Sequence, residues 1–281
     1  MSDFAIGVML DSFRLPVKEA LKKAREVGAS GVQIYATKGE MAPEALSAHA
    51  RKELLARIHD EGLVVSALCG DLGMGFGNRE KNPELIERSK RILDLACDLE
   101  TKVVTTHIGV VPEHEDHPRY AVMQQACAAL AEYADSLSAH FAIETGPEPS
   151  ERLRKFLDSL GSRGVAVNFD PANLQMVWKE DAAAAVKNLA PYIVHTHAKD
   201  GRQLYFRSSE EIYGIVQPEP DAVISPSFEE LPLGEGDVDF KGWLDALRGI
   251  GYNSFLTIER EVGGNPEADI RKAVEYLQTL I

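Results

Sequence analysis

Residues 141–200 read FAIETGPEPSERLRKFLDSLGSRGVAVNFDPANLQMVWKEDAAAAVKNLAPYIVHTHAKD and decide the fold class. Three short apolar runs, at 141–144, 165–169 and 193–197, have the length and branched composition of buried strands. Two segments with helical period, at 152–160 and 181–189, separate them. Strands that are apolar on both faces and alternate with helices are typical of a parallel sheet covered by helices.

The same alternation extends in both directions from this stretch. Further strands are predicted at 4–10, 31–35, 64–68, 102–107 and 254–258, and further helices at 17–27, 45–60, 83–99, 119–138, 240–250 and 266–280. Eight strand–helix repeats predict a (β/α)8 TIM barrel, with residues 1–281 as a single domain. An open, doubly wound sheet shares the alternation, but LDSFRLP at 10–16 lacks its usual glycine-rich first turn.

One connection is longer than an ordinary βα loop. Residues 201–233 carry four prolines and several aromatic side chains, and they follow the seventh predicted strand. We expect an extended excursion over the mouth of the barrel. It could close on a substrate or form oligomer contacts.

Composition restricts the function classes. The formal charge of −14 disfavours a polyanionic partner, so no nucleic-acid substrate is expected, although one local cation could still hold a small phosphate. Three cysteines without a CxxC pair indicate reduced thiols, and the N-terminus has no basic region of a signal peptide. No apolar stretch is long enough for a membrane span. The prediction is a cytoplasmic protein without membrane contact.

The ends of the later strands carry the side chains with catalytic chemistry. Glu144, Asp170, His197 and Glu259 stand there, and His107 ends the fourth strand. The first three are separated by 26 and 27 positions, about one repeat each, and Glu259 follows after 62, one repeat plus the excursion. Strand ends of a closed barrel converge on one mouth.

Three converging carboxylates repel each other unless a cation lies between them. Oxygen-rich ligation with one imidazole suits Mn²⁺, Mg²⁺ or Co²⁺, and Zn²⁺ is an alternative. The residues therefore predict one bound divalent metal ion, for which Mn²⁺ is the first choice. Four protein ligands on a six-coordinate ion leave two positions for adjacent oxygens of a substrate.

The motifs IETGPE, NFDPANL, HTHAKD, PLGEGDVDF and TIERE resemble, in this order, the sugar phosphate isomerase/epimerase family of xylose isomerase-like barrels. Its relatives include ketose 3-epimerases, inosose dehydratases, hydroxypyruvate isomerases and endonuclease IV. The resemblance implies metal ligation by Glu144, Asp170, His197 and Glu259, with the two glutamates also acting as acid and base. It favours His197 over His195, which is then expected to pack against the helices.

Five further residues are predicted to contact the substrate: His107, Glu148, Asn173, Lys199 and Arg202. Three of them have a plainer interpretation, a buried core residue for His107 and a solvated turn for Lys199 and Arg202. Asn173 stands where many of the epimerases that the chain resembles have a histidine. Gly234 and Gly236 could offer backbone N–H groups to an anion, but a tight turn before a helix is the preferred interpretation.

Three functions remain open at this point. The first is a metal-dependent isomerase or epimerase that abstracts a proton next to a metal-bound carbonyl of a small polyhydroxylated substrate. The second is a metal-dependent dehydratase of an inosose-like or cyclic hydroxy-ketone, which begins with the same proton abstraction. The third is a non-catalytic binding protein on the same barrel. A dimer or tetramer is expected, mainly from the resemblance.

Overall fold

Eight parallel strands close into a barrel. The computed structural model describes residues 4–217 and 225–281. The barrel strands are β1 (Ala5–Met9), β2 (Gly31–Tyr35), β3 (Val64–Cys69), β4 (Val103–Thr106), β5 (His140–Glu144), β6 (Val165–Phe169), β7 (Ile193–Ala198) and β10 (Phe255–Ile258). Each pairs in parallel with its neighbours, and β10 pairs with both β7 and β1 to close the ring. The predicted TIM barrel is confirmed.

Ten α-helices accompany the strands in the described ranges. They are α1 (Val17–Glu26), α2 (Ala48–Asp60), α3 (Asn82–Asp98), α4 (Pro118–Ser136), α5 (Ser150–Leu160), α6 (Pro171–Trp178), α7 (Ala182–Leu189), α8 (Ser209–Ile212), α9 (Phe240–Gly249) and α10 (Pro266–Gln278). All but the one-turn helix α8 follow the barrel strands in the alternating order of the fold. In α5, Leu153, Phe156 and Leu157 are buried at helical spacing against the strands. That helix ends at Gly161, whose φ of 60° is the left-handed conformation typical of a C-terminal cap.

Helix α6 was not among the predicted helices. Six of its eight residues are buried, on more than one face, so it lacks the polar stripe by which a surface helix is recognised. Its N-terminus is nevertheless well defined. Asp170 caps it by accepting a hydrogen bond from the Asn173 backbone N–H at 2.9 Å, and Pro171 occupies the first helical position.

The excursion after β7 contains regular structure. Strands β8 (Asp200–Gln203) and β9 (Phe228–Leu231) form an antiparallel pair, in which Asp200 pairs with Leu231 and Gln203 with Phe228. Between them lies the one-turn helix α8. Part of the predicted excursion, 218–224, lies outside the described residues. In the described part, β9 and α8 lie beside the barrel mouth, where Ile212 and Phe228 line a cavity.

The interior of the barrel is polar towards the mouth. Gln33, Thr105, Asn168, His195 and Thr257 are all buried within it. These buried polar groups must find partners inside the barrel, because an unpaired buried polar atom is costly.

None of the helices in the described ranges is long and apolar enough to cross a membrane.

Candidate metal and substrate site

Four buried side chains meet at the carboxyl-terminal mouth of the barrel. Glu144 ends β5, Asp170 follows β6, His197 lies in β7 and Glu259 follows β10. Each offers one ligand atom, and these four atoms lie within 4.8 Å of one another. The structure thus brings together the four residues that the strand-end pattern singled out. The cluster could hold a divalent ion.

The imidazole of His197 faces all three carboxylates through Nδ1. That atom lies 3.3 Å from Glu259 Oε2, 3.5 Å from Asp170 Oδ2 and 3.6 Å from Glu144 Oε1. Burial lowers the pKa of His197, but attraction to Glu259 and Glu144 outweighs burial and raises it well above the usual value. The cluster therefore attracts positive charge.

A glutamine at the base of the site sets the tautomer of His197. His197 Nε2 lies 3.1 Å from Gln33 Oε1, and Gln33 Nε2 donates to Thr105 Oγ1 at 2.8 Å. Thr105 Oγ1 donates its proton to the backbone oxygen of Leu68 at 3.5 Å and therefore accepts from Gln33. Gln33 Oε1 is then the acceptor that faces His197, and we assign a proton to His197 Nε2. The lone pair of Nδ1 in the neutral ring then points at the carboxylates, as metal ligation requires.

Asp170 provides the test of whether a cation fits. Its Oδ1 accepts the Asn173 N–H, but its buried Oδ2 has no hydrogen-bond partner. A fully buried carboxylate oxygen without a partner is costly, and an ion shared with the other three ligands would satisfy it. Three carboxylate oxygens with one imidazole nitrogen form a donor set suited to Mn²⁺, Mg²⁺, Co²⁺ or Zn²⁺.

Two asparagines hold the carboxylate of Glu144. Asn173 Nδ2 donates to Oε1 at 2.9 Å, and Asn168 Nδ2 donates to Oε2 at 3.2 Å. Gly146 lets Asn173 approach this closely, because a Cβ at that position would lie 2.4 Å from Asn173 Cβ. Asn173 therefore orients Glu144 and also lines the cavity above it.

A buried lysine holds Glu259. Lys199 Nζ donates to Glu259 Oε2 at 3.1 Å, contacts Glu261 and lies 3.9 Å from Glu230. Burial raises the pKa of Glu259, but the charges of Lys199 and His197 outweigh burial and lower it. The pKa of Lys199, in turn, is raised by these carboxylates against the effect of burial. Glu259 is therefore ionised and Lys199 charged.

A cavity of about 880 Å³ opens above the cluster. Glu144 and Glu259 form part of its floor, with His107, Asn173 and Lys199 on the walls. Residues of α6, α8 and β9 form an apolar side, namely Met176, Val177, Ile212, Tyr213, Phe228 and Leu231. The volume is suitable for a small organic substrate.

The sequence profile of the Xylose isomerase-like TIM barrel family matches residues 21–280. The chain belongs to this family. It is 24% identical over 245 residues to the putative L-ribulose-5-phosphate 3-epimerase SgbU of Escherichia coli K12, which covers 83% of this chain and 79% of that protein.

Two solved structures of xylose isomerase-like fold superpose over nearly the whole chain. A xylose isomerase domain protein from Planctomyces limnophilus has a TM-score of 0.78 and 24% identity, over 99% of this chain and 96% of that one. The probable 3-DHS dehydratase AsbF of Bacillus anthracis has a TM-score of 0.72 and 16% identity, over 98% of both chains. At these identities the superpositions demonstrate the shared fold.

An aspartate that the sequence interpretation missed accompanies His107 in this xylose isomerase-like barrel. Asp71 Oδ2 lies 3.2 Å from His107 Nδ1, and His107 Nε2 lies 3.7 Å from Glu144 Oε1. Burial lowers the pKa of His107, but Glu144 and Asp71 raise it to about 9. Asp71 could have been found from its sequence position just after β3, because a position at a strand end also identified Glu144.

The expectation that His195 packs against the helices is wrong. Residues two apart on a strand point to the same face, so His195 lies inside the barrel below His197. Its Nδ1 lies 2.8 Å from Asn168 Oδ1 and its Nε2 lies 3.0 Å from Thr257 Oγ1. Burial, and then the charge of His197, lower the pKa of His195 well below its usual value. It is a neutral support for Asn168.

The structure does not bring two of the predicted substrate contacts to the cavity wall. Arg202, on β8, donates to the backbone oxygen of Glu235 at 2.6 Å. Glu148 is buried, and its Oε2 accepts the Val111 N–H at 3.0 Å while Oε1 has no partner. Neither residue is among those that line the cavity.

Glu148 should make folding stability depend on pH. Burial raises its pKa from 4.5 to about 7, against the hydrogen bond from Val111 and the charge of Arg152. The folded state therefore keeps a proton that the unfolded state loses. The resulting stabilisation is complete below about pH 4.5 and is lost as pH rises through 7, by about 3 kcal/mol in total.

The substitution Glu148→Gln should remove this dependence, because a neutral amide can still accept the Val111 N–H. We expect thermal denaturation to show a more stable variant above pH 7 and little difference near pH 4.5. Glu113→Gln is the matched control, since Glu113 is 70% exposed and lies 3.7 Å from Arg152. If the difference in thermal stability between Glu148→Gln and the unsubstituted protein were the same from pH 4.5 to above pH 7, Glu148 would not be the source of the pH dependence.

Proposed function

We propose that the protein is a divalent-metal-dependent isomerase or epimerase of small polyhydroxylated carbonyl compounds. The observation that carries the proposal is the cluster of Glu144, Asp170, His197 and Glu259, of which Glu144 and Glu259 line the cavity. The similarity of this chain to the putative epimerase of E. coli agrees with the proposal. The four residues would hold the ion, with Mn²⁺ the first choice and Mg²⁺, Co²⁺ or Zn²⁺ as alternatives.

A divalent ion there would act as a Lewis acid towards two adjacent substrate oxygens and acidify the C–H next to the carbonyl. Glu144 and Glu259 lie on β5 and after β10, on different sides of this floor. The ionised carboxylate takes the proton from carbon, and the other glutamate, which has taken up a proton from solvent, delivers that proton to the opposite face. A well-placed acid or base contributes roughly 10²–10⁴-fold in rate.

The surrounding residues prepare the two glutamates for these steps. Asn168 and Asn173 hold Glu144 in one orientation. Lys199 keeps Glu259 ionised and therefore able to accept a proton. Because these hydrogen-bond donors already hold the carboxylates in place, the side chains need to move little during proton transfer. His107, Asn173 and Lys199, which line the cavity, are proposed to contact the substrate.

The test is solvent exchange at carbon. Metal-loaded protein is incubated in D₂O with a panel of ketoses, aldoses and keto-polyols, and deuterium next to the carbonyl is measured by NMR. We expect incorporation with at least one compound. If metal-loaded protein exchanges no such proton across the panel, the proposed mechanism fails.

A dehydratase is the second candidate, and the pair His107–Asp71 favours it. Glu144 and Asp71 raise the pKa of His107, whose Nε2 lies 3.7 Å from Glu144 Oε1, where it could protonate a departing β-hydroxyl group. The structural likeness to the probable dehydratase AsbF agrees with this alternative. A conjugated enone product absorbs in the ultraviolet, so absorbance during turnover separates elimination from epimerisation.

A further inference from the structure

We infer that the substrate of this site is uncharged and carries neither a phosphate nor a carboxylate group. The inference deepens the proposed function and rests on it. The notable feature is the charge balance of the cavity. Six carboxylates line it, those of Asp71, Glu144, Glu229, Glu230, Glu259 and Glu261.

The permanent cations of the cavity wall are already paired. Among the described residues these are Lys199 and Arg260. Lys199 is held by Glu259 and Glu261, as described above. Arg260 donates to Glu230 at 2.6 Å and to Asp269 at 2.9 Å. Even with a divalent ion bound and His107 protonated, carboxylates outnumber positive charges, so an anionic group would be repelled.

The backbone site that could have bound an anion is filled by the chain itself. Asp200 Oδ2 accepts the N–H groups of Gly234 and Gly236, both at 2.9 Å. Its Oδ1 accepts those of Gly201 at 2.8 Å and Val238 at 3.2 Å. Four converging N–H groups form the kind of concavity that binds phosphate in other barrels. Here a fully buried carboxylate occupies it, so these donors are not available to a substrate.

Among the described residues, the excursion brings no cation to the cavity wall, because its two arginines, Arg202 and Arg207, do not line the cavity. Arg202 donates to the backbone oxygen of Glu235 at 2.6 Å, and Arg207 Nε lies 3.6 Å from Glu211 Oε2. The sequence from 208 to 240 contains no lysine, arginine or histidine, including the part that the structure does not describe.

The excursion contributes the apolar side chains of Ile212, Tyr213 and Phe228 to the cavity wall. The charges that its described residues add there are the negative ones of Glu229 and Glu230. A wall of this kind suits the C–H face of a ketose or a cyclic polyol and offers no positive charge for a phosphate.

An adjoining pocket of about 550 Å³ is lined by two further cations, Lys38 and Arg88. It is also lined by Asp11 and Asp71, so its formal charge is balanced. Arg88 donates to the backbone oxygen of Thr37 at 3.3 Å. An anionic tail that extended out of the cavity could lie in this pocket, and the two cations are therefore included in the test.

The experiment compares matched pairs in the metal-loaded protein. L-Ribulose is measured against L-ribulose 5-phosphate and D-fructose against D-fructose 6-phosphate, by deuterium exchange and, independently, by ligand-observed NMR binding. We expect kcat/KM for exchange and the affinity to favour the uncharged member by about 100-fold, the size of an unfavourable like-charge contact of a few kcal/mol. Added salt should reduce this preference for the uncharged member, because salt screens the repulsion between the carboxylates of the cavity and the phosphate group.

The outcomes separate the inference from the proposed function. Preferred exchange or binding of the phosphorylated member overturns the inference and leaves the proposed function standing. Preferred binding of the uncharged member without exchange supports the inference and removes the proposed function. If neither member of any pair binds or exchanges, both are overturned.

Charge variants at the rim give a second, graded measurement. Glu229 is exposed and lines the cavity. The substitution Glu229→Lys should raise the relative kcat/KM for the phosphorylated member by about tenfold, and Glu229→Gln, the matched neutral control, by less. Lys38→Ala and Arg88→Ala should leave the ratio unchanged. A selective loss of phosphorylated substrate in either of these two variants would overturn the inference.

Discussion

Glu259→Gln should lower the rate of epimerisation by about 10³-fold, within the roughly 10²–10⁴-fold that an acid or base contributes. Glutamine keeps an oxygen in place of the carboxylate, but it cannot accept a proton. Because Glu144 remains, the variant should still exchange the carbon-bound proton of one of the two epimers. Deuterium exchange measured separately from each epimer checks this asymmetry. Glu144→Gln should show the opposite preference.

The matched control is Glu261→Gln, two residues further along the chain. Glu261 loses the same charge and also contacts Lys199, but its side chain is 60% exposed. We expect less than a tenfold loss of rate for it, because exposed charges are screened. If Glu259→Gln and Glu261→Gln lowered the rate of epimerisation equally, the loss would come from the changed local charge and not from a lost proton transfer. Equal exchange from both epimers in Glu259→Gln would rule out a two-sided mechanism.

The barrel could be predicted from the sequence because its evidence is local and repeated. Each strand is a short apolar run, and each surface helix carries a buried stripe, as Leu153, Phe156 and Leu157 show in α5. Helix α6 escaped prediction because it is buried on more than one face and has no such stripe. The hairpin of β8 and β9 escaped because 24 residues separate its strands, from Gln203 to Phe228. Nothing in the local pattern pairs them.

The four clustered residues could be predicted for a different reason. Glu144, Asp170 and Glu259 are charged residues at the ends of apolar strands, where a core position would not normally place them. Gln33 and Asp71 were missed because their roles depend on partners in other strands, His197 and His107. The misplacement of His195 was an error of strand geometry, since the two-residue period puts it on the same face as His197.

Asp170→Asn should abolish metal binding at concentrations that saturate the unsubstituted protein. Asparagine retains an oxygen to cap α6 through the Asn173 N–H, so the fold should be kept. It removes one of the three charges, together with the carboxylate oxygen that has no other partner. A bound ion stabilises the folded state by about 4 kcal/mol at 1,000 times its Kd. Thermal denaturation with and without Mn²⁺ should therefore show a large shift in the unsubstituted protein and little in the variant.

Gln33→Met is the graded comparison, because it leaves all four ligands in place. It removes the acceptor that fixes the tautomer of His197, and loss of such a support costs about ten- to a hundredfold in metal affinity. Calorimetric titration with Mn²⁺ should rank the unsubstituted protein first, Gln33→Met second and Asp170→Asn last. If Asp170→Asn bound Mn²⁺ as tightly as Gln33→Met, the orphaned oxygen of Asp170 would not be a ligand. The case for an ion shared by four strand ends would then be lost, because that oxygen is the buried side-chain atom of the cluster that has no hydrogen-bond partner.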